Sequence, residues 1–266
     1  GRGGGGARLR RGSDLQFGLK LDFLDAVHGC QHEIEVPRQG HCGSCKGSGA
    51  APGTRPETCT TCNGAGEVIQ AQLFIRMRSP CPACSGRGKM VRNPCRECSG
   101  AGRTRQVNKL AVNVPPGVKT GLQLRLSGKG DSGDPGAPAG DLFVVLEVKP
   151  HEFFRRDGDD VLCQVPISYA QACLGTGMKV PTVDSDEQLE IPKGTPSGKI
   201  FTLRGKGAPR LGGRRGRGDQ HVQVVVQVPE KLSTEEEELI RKLAELQNEH
   251  VVEKGFLKDF WDRLTS

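Results

Sequence analysis

The sequence predicts a mainly β protein of two tandem homologous β-sandwich domains, with a cysteine-rich module inserted in the first and a helical segment at the end. Three observations predict it: a duplicated pattern of short alternating segments, four cysteine repeats that interrupt only the first copy, and an amphipathic stretch after residue 230. The 266 residues include only 4% aromatics but 38 glycines, which favours small modules with many turns over one large core.

The predicted boundaries follow these patterns along the chain. They are a Gly-rich linker remnant at 1–12, a first sandwich at 13–37 and 104–150, a cysteine-rich module at 38–103, a second sandwich at 151–230, and a helical dimerisation segment at 231–266. No run of about 18 apolar residues occurs, so no membrane span is predicted.

One fold unit is repeated in the sequence. "VPPGVKTGLQLRLSGKG" from Val114 matches "IPKGTPSGKIFTLRGKG" from Ile191 at a constant offset of 77, and "GDLFVVLEV" from Gly140 echoes "GDQHVQVVV" from Gly218. Upstream, "DLQFGLKLDFLDAVHG" resembles "DVLCQVPISYAQACLG", and each is followed by Val-Pro. On that match Val180 is the expected counterpart of Val36.

Within each copy, apolar residues alternate with period two between Gly/Pro turns, which predicts antiparallel strands. Two strand faces are predicted on this basis: one of Leu15, Phe17, Leu19 and Leu21, and one of Leu110, Val112 and Val114.

An eight-residue cysteine phrase occurs four times in the first copy. The repeats are "CGSCKGSG" from Cys42, "CTTCNGAG" from Cys59, "CPACSGRG" from Cys81 and "CRECSGAG" from Cys95. Glycines after the second cysteine suit a turn whose backbone amides face the sulfurs, because glycine adopts positive φ without steric cost. A CxxC turn presents two thiolates, and zinc takes four ligands tetrahedrally. The four pairs therefore predict two zinc ions, and their spacing leaves sequential and nested pairings both open.

Structural disulfides and redox exchange are two other uses of cysteines. Cys30, Cys163 and Cys173 stand singly, and this odd count of eleven favours metal thiolates in a reducing compartment over secreted disulfides. A redox CxxC remains an alternative, because such a thiol can exchange disulfides, and the pair that starts at Cys81 resembles a redox motif most.

The basic balance of the chain shrinks once the metal sites are counted. The formal net charge is +7. Eight thiolates that hold two divalent ions change it by about −4. The basic clusters "RLRRG" and "RLGGRRGRG" are interleaved with glycine and lack stacking aromatics. They indicate solvated loops rather than a nucleic-acid surface, although a nucleic-acid-binding zinc protein stays an alternative.

A helix is predicted from Ser233, where Ser233 and Glu236 form a capping box. Two amphipathic stretches carry apolar stripes, which we interpret as the dimerisation seam of a homodimer, with packing on the parent sandwich as the alternative. The residues of this seam are Leu239, Leu243, Leu246, Phe256, Phe260 and Trp261.

Four CxxCxGxG repeats inserted in the first of two homologous sandwiches, with "APAGDL" at Ala137 and "RDGDD" at Arg156, resemble the zinc-bearing (type A) class of DnaJ co-chaperones. The resemblance covers nearly the whole chain. It implies a co-chaperone, not an enzyme, that binds unfolded polypeptides, prevents their aggregation and delivers them to a DnaK-type chaperone. The family's J domain with its His-Pro-Asp tripeptide is absent from this sequence, so we expect the chain alone to bind clients without triggering ATP hydrolysis in the partner.

The resemblance also implies site residues. It implies nested zinc pairing, with one ion held by Cys42, Cys45, Cys95 and Cys98, and the other by Cys59, Cys62, Cys81 and Cys84. It implies a client pocket on the first sandwich, where an extended strand binds beside Leu15, Ile34, Val36, Leu110 and Val144. "LKLDFLDAVHG" is most similar to plastid and cyanobacterial members, which favours the plastid stroma over the bacterial cytoplasm or another reducing compartment.

Overall fold

The structure is a computed structural model that describes residues 9–72, 75–212 and 216–249. Fifteen strands and three helices are assigned within those ranges. In chain order they are β1 (Leu15–Leu21), α1 (Phe23–His28), β2 (Cys30–His41), β3 (Glu57–Thr58), β4 (Glu67–Gln72), β5 (Ile75–Pro80), β6 (Lys89–Met90), β7 (Arg103–Val114), β8 (Gln123–Leu126), β9 (Leu142–Val148), β10 (Phe154–Asp157), β11 (Asp160–Ile167), α2 (Tyr169–Leu174), β12 (Thr176–Pro181), β13 (Asp186–Ile191), β14 (Ile200–Leu203), β15 (Gln220–Val226) and α3 (Thr234–Leu246).

The first sandwich packs a three-stranded sheet of order β1-β9-β8 with a two-stranded ribbon of β2 and β7. Both predicted strand faces are confirmed, because their residues alternate with exposed ones and lie in one hydrophobic core. The buried members of that core are Leu19, Leu21, Ala26, Ile34, Val36, Val112, Val114, Val118, Leu142, Val144 and Leu146.

The direction of one strand pair differs from the prediction. β1 runs parallel to β9, with Leu15 opposite Leu142 and Leu21 opposite Val148, so the expectation of antiparallel pairing is wrong here. A period of two reports which side chains share a face but carries no information on strand direction. The long segment between β1 and β9 lets the chain return in the same direction, which a tight hairpin could not do.

The duplication is confirmed by matching elements and by one equivalent hydrogen bond in each copy. β8 and β14 occupy equivalent places in the repeat, as do β9 and β15 and the short helices α1 and α2. Next to these strands the amide of Gly128 donates to Asp141 Oδ1 at 2.8 Å, and the amide of Gly205 donates to Asp219 Oδ1 at 2.7 Å. Each copy thus uses one aspartate to close the same turn.

The expected equivalence of Val36 and Val180 is wrong. Gly29 and Gly175 cap α1 and α2 with φ of 78° and 85°, and the β2 and β12 ribbons begin at the next residue. Counted from these glycines, Val180 is the counterpart of Ile34. The Val-Pro match misled because β2 is twelve residues long and β12 only six, so the two prolines lie at different depths in their ribbons.

The second sandwich contains a sheet of order β10-β11-β15-β14 and a ribbon of β12 and β13. Contacts divide the chain into two compact units. One comprises Gly1–Cys163, Thr182–Ser185 and Thr202–His221, and the other comprises Gln164–Pro181, Asp186–Phe201 and Val222–Ser266.

Helix α3 begins as the sequence predicts. The Ser233 hydroxyl accepts from the amide of Glu236, and the Glu236 carboxylate accepts from the amide of Ser233, which completes the capping box. No helix among the described residues is long and apolar enough to cross a membrane.

The ribbon of β2 and β7 carries the cysteine-rich module. Its antiparallel register is unbroken from Cys30 opposite Val114 to His41 opposite Arg103. The next residue of each strand leads directly into a cysteine repeat, with Cys42 on one side and Gly102 on the other. Inside the module β3 pairs with β6 and β4 pairs with β5, so the insertion leaves and returns along adjacent antiparallel paths.

Candidate metal centres and peptide groove

The structure brings the outer two cysteine repeats together. The sulfurs of Cys42, Cys45, Cys95 and Cys98 all lie within 4.8 Å of one another and are buried. Cys42 Sγ is 3.8 Å from Cys95 Sγ, and Cys45 Sγ is 3.7 Å from Cys98 Sγ. These distances are far longer than a disulfide bond of about 2.0 Å.

The inner two repeats form a second cluster of the same shape. It contains Cys59, Cys62, Cys81 and Cys84, with 3.9 Å between the sulfurs of Cys59 and Cys81 and 3.7 Å between those of Cys62 and Cys84. A tetrahedron with Zn–S bonds of about 2.3 Å has S···S edges of about 3.8 Å. Both donor sets fit that edge length, so each cluster can hold one zinc ion, two per chain.

Each repeat adopts the same turn. The residue after the second cysteine has positive φ although it is not glycine, as at Lys46, with φ of 51°, and Asn63, with φ of 50°. The last glycine of each repeat then donates its amide to the second cysteine. The distances are 3.3 Å for Gly49 to Cys45 and 3.2 Å for Gly66 to Cys62, Gly88 to Cys84 and Gly102 to Cys98. The predicted turn with amides facing the sulfur is confirmed.

Backbone hydrogen bonds join the repeats in nested pairs. The amide of Cys42 donates to the carbonyl oxygen of Gly102 at 3.0 Å, and the amide of Cys95 donates to Gly49 at 2.9 Å. The inner pair repeats this exchange from Cys59 to Gly88 at 3.0 Å, and from Cys81 to Gly66 at 2.9 Å. The cysteine spacing did not reveal these glycine carbonyl groups, which join the repeats by accepting the cysteine amides. Antiparallel pairing of β2 with β7 brings the first repeat beside the last. A prediction of that strand pairing would therefore have favoured nested over sequential zinc sites.

Burial and the amides of the last glycine of each repeat shift the pKa values of the thiols in opposite directions. Burial raises the pKa of Cys45, but hydrogen bonds from the Gly49 amide and its neighbouring thiols lower it to about 7. Burial raises the pKa of Cys84 to about 11. Four crowded thiols cannot all ionise without a compensating cation, so the two clusters suit a divalent metal that displaces their protons.

The five residues expected at the client pocket lie in one place. All five belong to the core cluster of the first sandwich, where Ile34, Val36 and Val144 are buried, while Leu15 and Leu110 are only half-buried. A cavity of about 240 Å³ lies beside Leu15. Its other lining residues are Pro37, Arg38, Gln39, Arg105 and Asp131.

Asp131 links the edges of the two sheets at this cavity. Its amide donates to the carbonyl oxygen of Ser13, just before β1, at 3.0 Å. Its Oδ1 accepts from the amide of Gln39 in β2 at 2.7 Å. β1 is the outer strand of its sheet, and β2 has only β7 as a strand neighbour in the described chain. The cavity therefore lies between two strand edges without a further strand partner, and we call it the groove.

The residues expected at the dimer seam are divided by the limits of the described chain. Leu239, Leu243 and Leu246 lie on α3 with exposed fractions of 65%, 36% and 81%. Within the described length of that helix, Ala244 is the one buried residue. Phe256, Phe260 and Trp261 lie outside the described residues.

Two homologous β-sandwiches, with a nested pair of four-cysteine sites carried on a ribbon of the first, define a mainly β protein of the zinc-bearing class. The sequence matches the DnaJ C terminal domain over residues 15–229. Several curated relatives bear the name "Chaperone protein DnaJ". That of Brevibacillus choshinensis is 50% identical over 95% of this chain and 70% of its own length. The relative from Halalkalibacterium halodurans is 47% identical over 92% and 68%, and that from Shouchella clausii is 46% identical over 98% and 72%.

The chain belongs to the DnaJ C-terminal domain family, and a co-chaperone function follows from that membership. The three relatives are bacterial proteins.

Proposed function

We propose that this chain holds non-native polypeptides in extended form on its first sandwich and delivers them to a DnaK-type ATPase. The observation that carries the proposal is the groove between the edges of β1 and β2, where the cavity beside Leu15 and Pro37 adjoins a strand whose residues Ile34 and Val36 belong to the apolar core. An exposed edge gives a client main-chain hydrogen bonds, while an apolar hollow takes a large side chain. Leu15 and Leu110 would contact the client, and Ile34, Val36 and Val144 would form the floor.

Suppression of aggregation tests this proposal. A chemically denatured protein is diluted into buffer with and without the chain, and light scattering reports its aggregation. We expect the chain to lower the scattering and Leu15→Ser to weaken that effect. Leu124 is a matched control, since it is also half-buried in the same core but lies on β8, at the other edge of the sheet. No suppression, or equal loss in both variants, would argue against the groove.

Thiol-disulfide exchange explains the geometry of the cysteine clusters less well than two zinc sites do. Thiol-disulfide exchange needs an accessible thiolate. Cys81 and Cys84 are 0% and 5% exposed, and their sulfurs face Cys59 and Cys62. We therefore infer that the chain is not an enzyme, and that titration with a thiol reagent will find the eight ligands protected while zinc is bound.

We also infer that nucleic acid is not a partner, which filter binding at low salt would test.

We further propose a homodimer that forms through the C-terminal segment. The apolar stripe of α3 is exposed in the single chain, as Leu239, Leu243 and Leu246 show, and burial in a partner would stabilise it. Sedimentation of wild type and Leu239→Asp would measure the change in association.

A reducing compartment is the proposed location, because all eleven cysteines of the described chain are free thiols and eight of them are grouped as metal ligands. The plastid stroma and the bacterial cytoplasm both meet this condition. Fluorescent tagging of the protein in its own cells distinguishes them.

A further inference from the structure

The direction of the backbone groups along β2 follows from one residue. The Gln39 amide donates to Asp131 and its carbonyl oxygen accepts from the Ser132 amide at 2.8 Å, so both groups point away from β7. In an antiparallel ladder both groups of a residue point to the same side, and the side alternates along the strand. The register of β2 has no bulge, so Gln31, Glu33 and Glu35 also turn their N–H and C=O groups toward the free edge.

The open part of this edge has a defined length. Pro37, the next residue in the series, has no N–H to donate, and Gln39 is already bonded to the 131–132 loop. Among the described residues, the main-chain groups of Gln31, Glu33 and Glu35 have no hydrogen-bond partner. An added strand can therefore pair with residues 31–35 and must end at Pro37.

The two faces of this edge differ in chemistry. Ile34 and Val36 point into the core, whereas Glu33 and Glu35 are exposed on the outer face. Glu35 already lies 3.3 Å from Lys109 on β7, but Glu33 is opposite Ala111 and makes no ion pair within the described chain. Side chains directly across a ladder interact, and opposite charges there are favourable.

We propose that the groove selects extended client segments that alternate apolar residues with Lys or Arg, the basic side chains lying across from Glu33 and Glu35. This inference rests on the proposed function and adds the class of client sequence to it. The basic residues face outward beside the carboxylates, and the apolar residue between them lies across from Ile34, on the core side of the strand.

The second copy of the fold lacks this arrangement. Counted from the helix-capping glycines, Lys179 stands where the first copy has Glu33, and Pro181 stands where it has Glu35. The edge of β12 thus carries a positive charge. Its proline, Pro181, comes two residues earlier in the strand than Pro37 does in β2. Lys179 is therefore the matched control position for Glu33.

Two fluorescent peptides test the preference, one alternating Leu with Lys and the other alternating Leu with Glu. Fluorescence anisotropy at low salt measures their affinities for the zinc-loaded chain. The formal net charge of +7 falls to about +3 with both zinc sites filled and is still positive, so unspecific attraction favours the Glu peptide. We expect the Lys peptide to bind about three- to tenfold more tightly because of the two cross-strand pairs. Glu33→Lys should remove or reverse that ratio, and Lys179→Glu should leave it unchanged.

Three outcomes overturn the inference. Equal binding of both peptides leaves the groove in place but removes its charge preference. Tighter binding of the Glu peptide, reversed by Lys109→Glu, moves the client to the edge of β7. Binding of neither peptide, nor of a neutral peptide that alternates Leu with Ser, removes the proposed function together with the inference.

Discussion

The amide of Cys42 lies 3.0 Å from the carbonyl oxygen of Gly102, so the first residue of the first cysteine repeat is bonded to the last residue of the fourth. This contact closes the module at its base, directly above the β2–β7 ribbon. It also requires a close approach of backbones, which gives the final glycine of the repeat a role beyond its turn.

Replacement of Gly102 by alanine should disrupt the outer zinc site alone. A Cβ there would lie 2.5 Å from the carbonyl oxygen of Gly47, and the residue has φ of +76°. We expect the zinc content to fall from two ions to one per chain, as measured by elemental analysis. Gly43→Ala is the control, since its Cβ would meet nothing within 4 Å and its φ is not positive. Two retained ions in Gly102→Ala would contradict the close-approach argument.

Nested ligation predicts which cysteines act together. Cys42→Ser and Cys98→Ser should each release the same ion, and the double variant should lose no more zinc than either single one. Residual zinc and protection of Cys59 from a thiol reagent measure this. If Cys42→Ser exposed Cys59 to the reagent, the ions would be held by sequential repeats instead.

Removal of zinc should unfold the module and leave the sandwiches intact. Buried cysteines form the cores of the two clusters, with Val68 as a partly buried neighbour of the inner one. The first sandwich instead has an apolar core of its own. The free energy of zinc binding therefore stabilises the folded state of residues 42–102, whereas the sandwiches fold without it. Amide hydrogen exchange after chelation should rise there alone, and loss of protection at Leu142 or Leu146 would count against the separation.

Asp141 should make the first sandwich sensitive to acid. The Gly128 amide at 2.8 Å, together with Arg125 and Arg11, lowers the pKa of this carboxyl to about 2. Its ordinary value is about 3.9. A lowered pKa in the folded state means that the contribution to stability is complete above pH of about 4 and is lost as pH falls toward 2.

Asp141→Asn should therefore lower the free energy of unfolding at pH 5, and the difference from wild type should shrink toward pH 2. Urea unfolding followed by circular dichroism measures both. The exposed Asp186 is the control, and Asp186→Asn should leave the pH profile unchanged. A constant difference between Asp141→Asn and wild type across this range would show that the carboxylate charge is not responsible.

Much of this fold could be predicted because its signals are local. Alternation placed Leu19 and Leu21 on one buried face, and the capping box at Ser233 located the start of α3. The cysteine phrase predicted the turn in all four repeats, since its residue types encode both the ligands and the backbone conformation.

Relationships between distant segments were harder to predict. The parallel pairing of β1 with β9 depends on the path of the chain between them, and no residue of Leu15–Leu21 reports it. The Val-Pro match gave Val180 the wrong partner because the two ribbons differ in length. The free edge at Glu33 became apparent only from the hydrogen bond between Gln39 and Asp131, which are 92 residues apart in the sequence.

The affinity of a neutral Leu-rich peptide for Glu33→Pro tests the central claim most directly. The Glu33 amide points to the free edge, so proline there removes a donor for the client while the bonds from β2 to β7 remain. Glu33→Gln controls for the lost charge, and Lys179→Pro makes the equivalent change in the second copy. We predict at least about a fivefold loss of affinity in Glu33→Pro, the scale of one net hydrogen bond, with little change in the two controls. Unchanged affinity in Glu33→Pro, or an equal loss in Lys179→Pro, would contradict client binding at the β2 edge of the first sandwich.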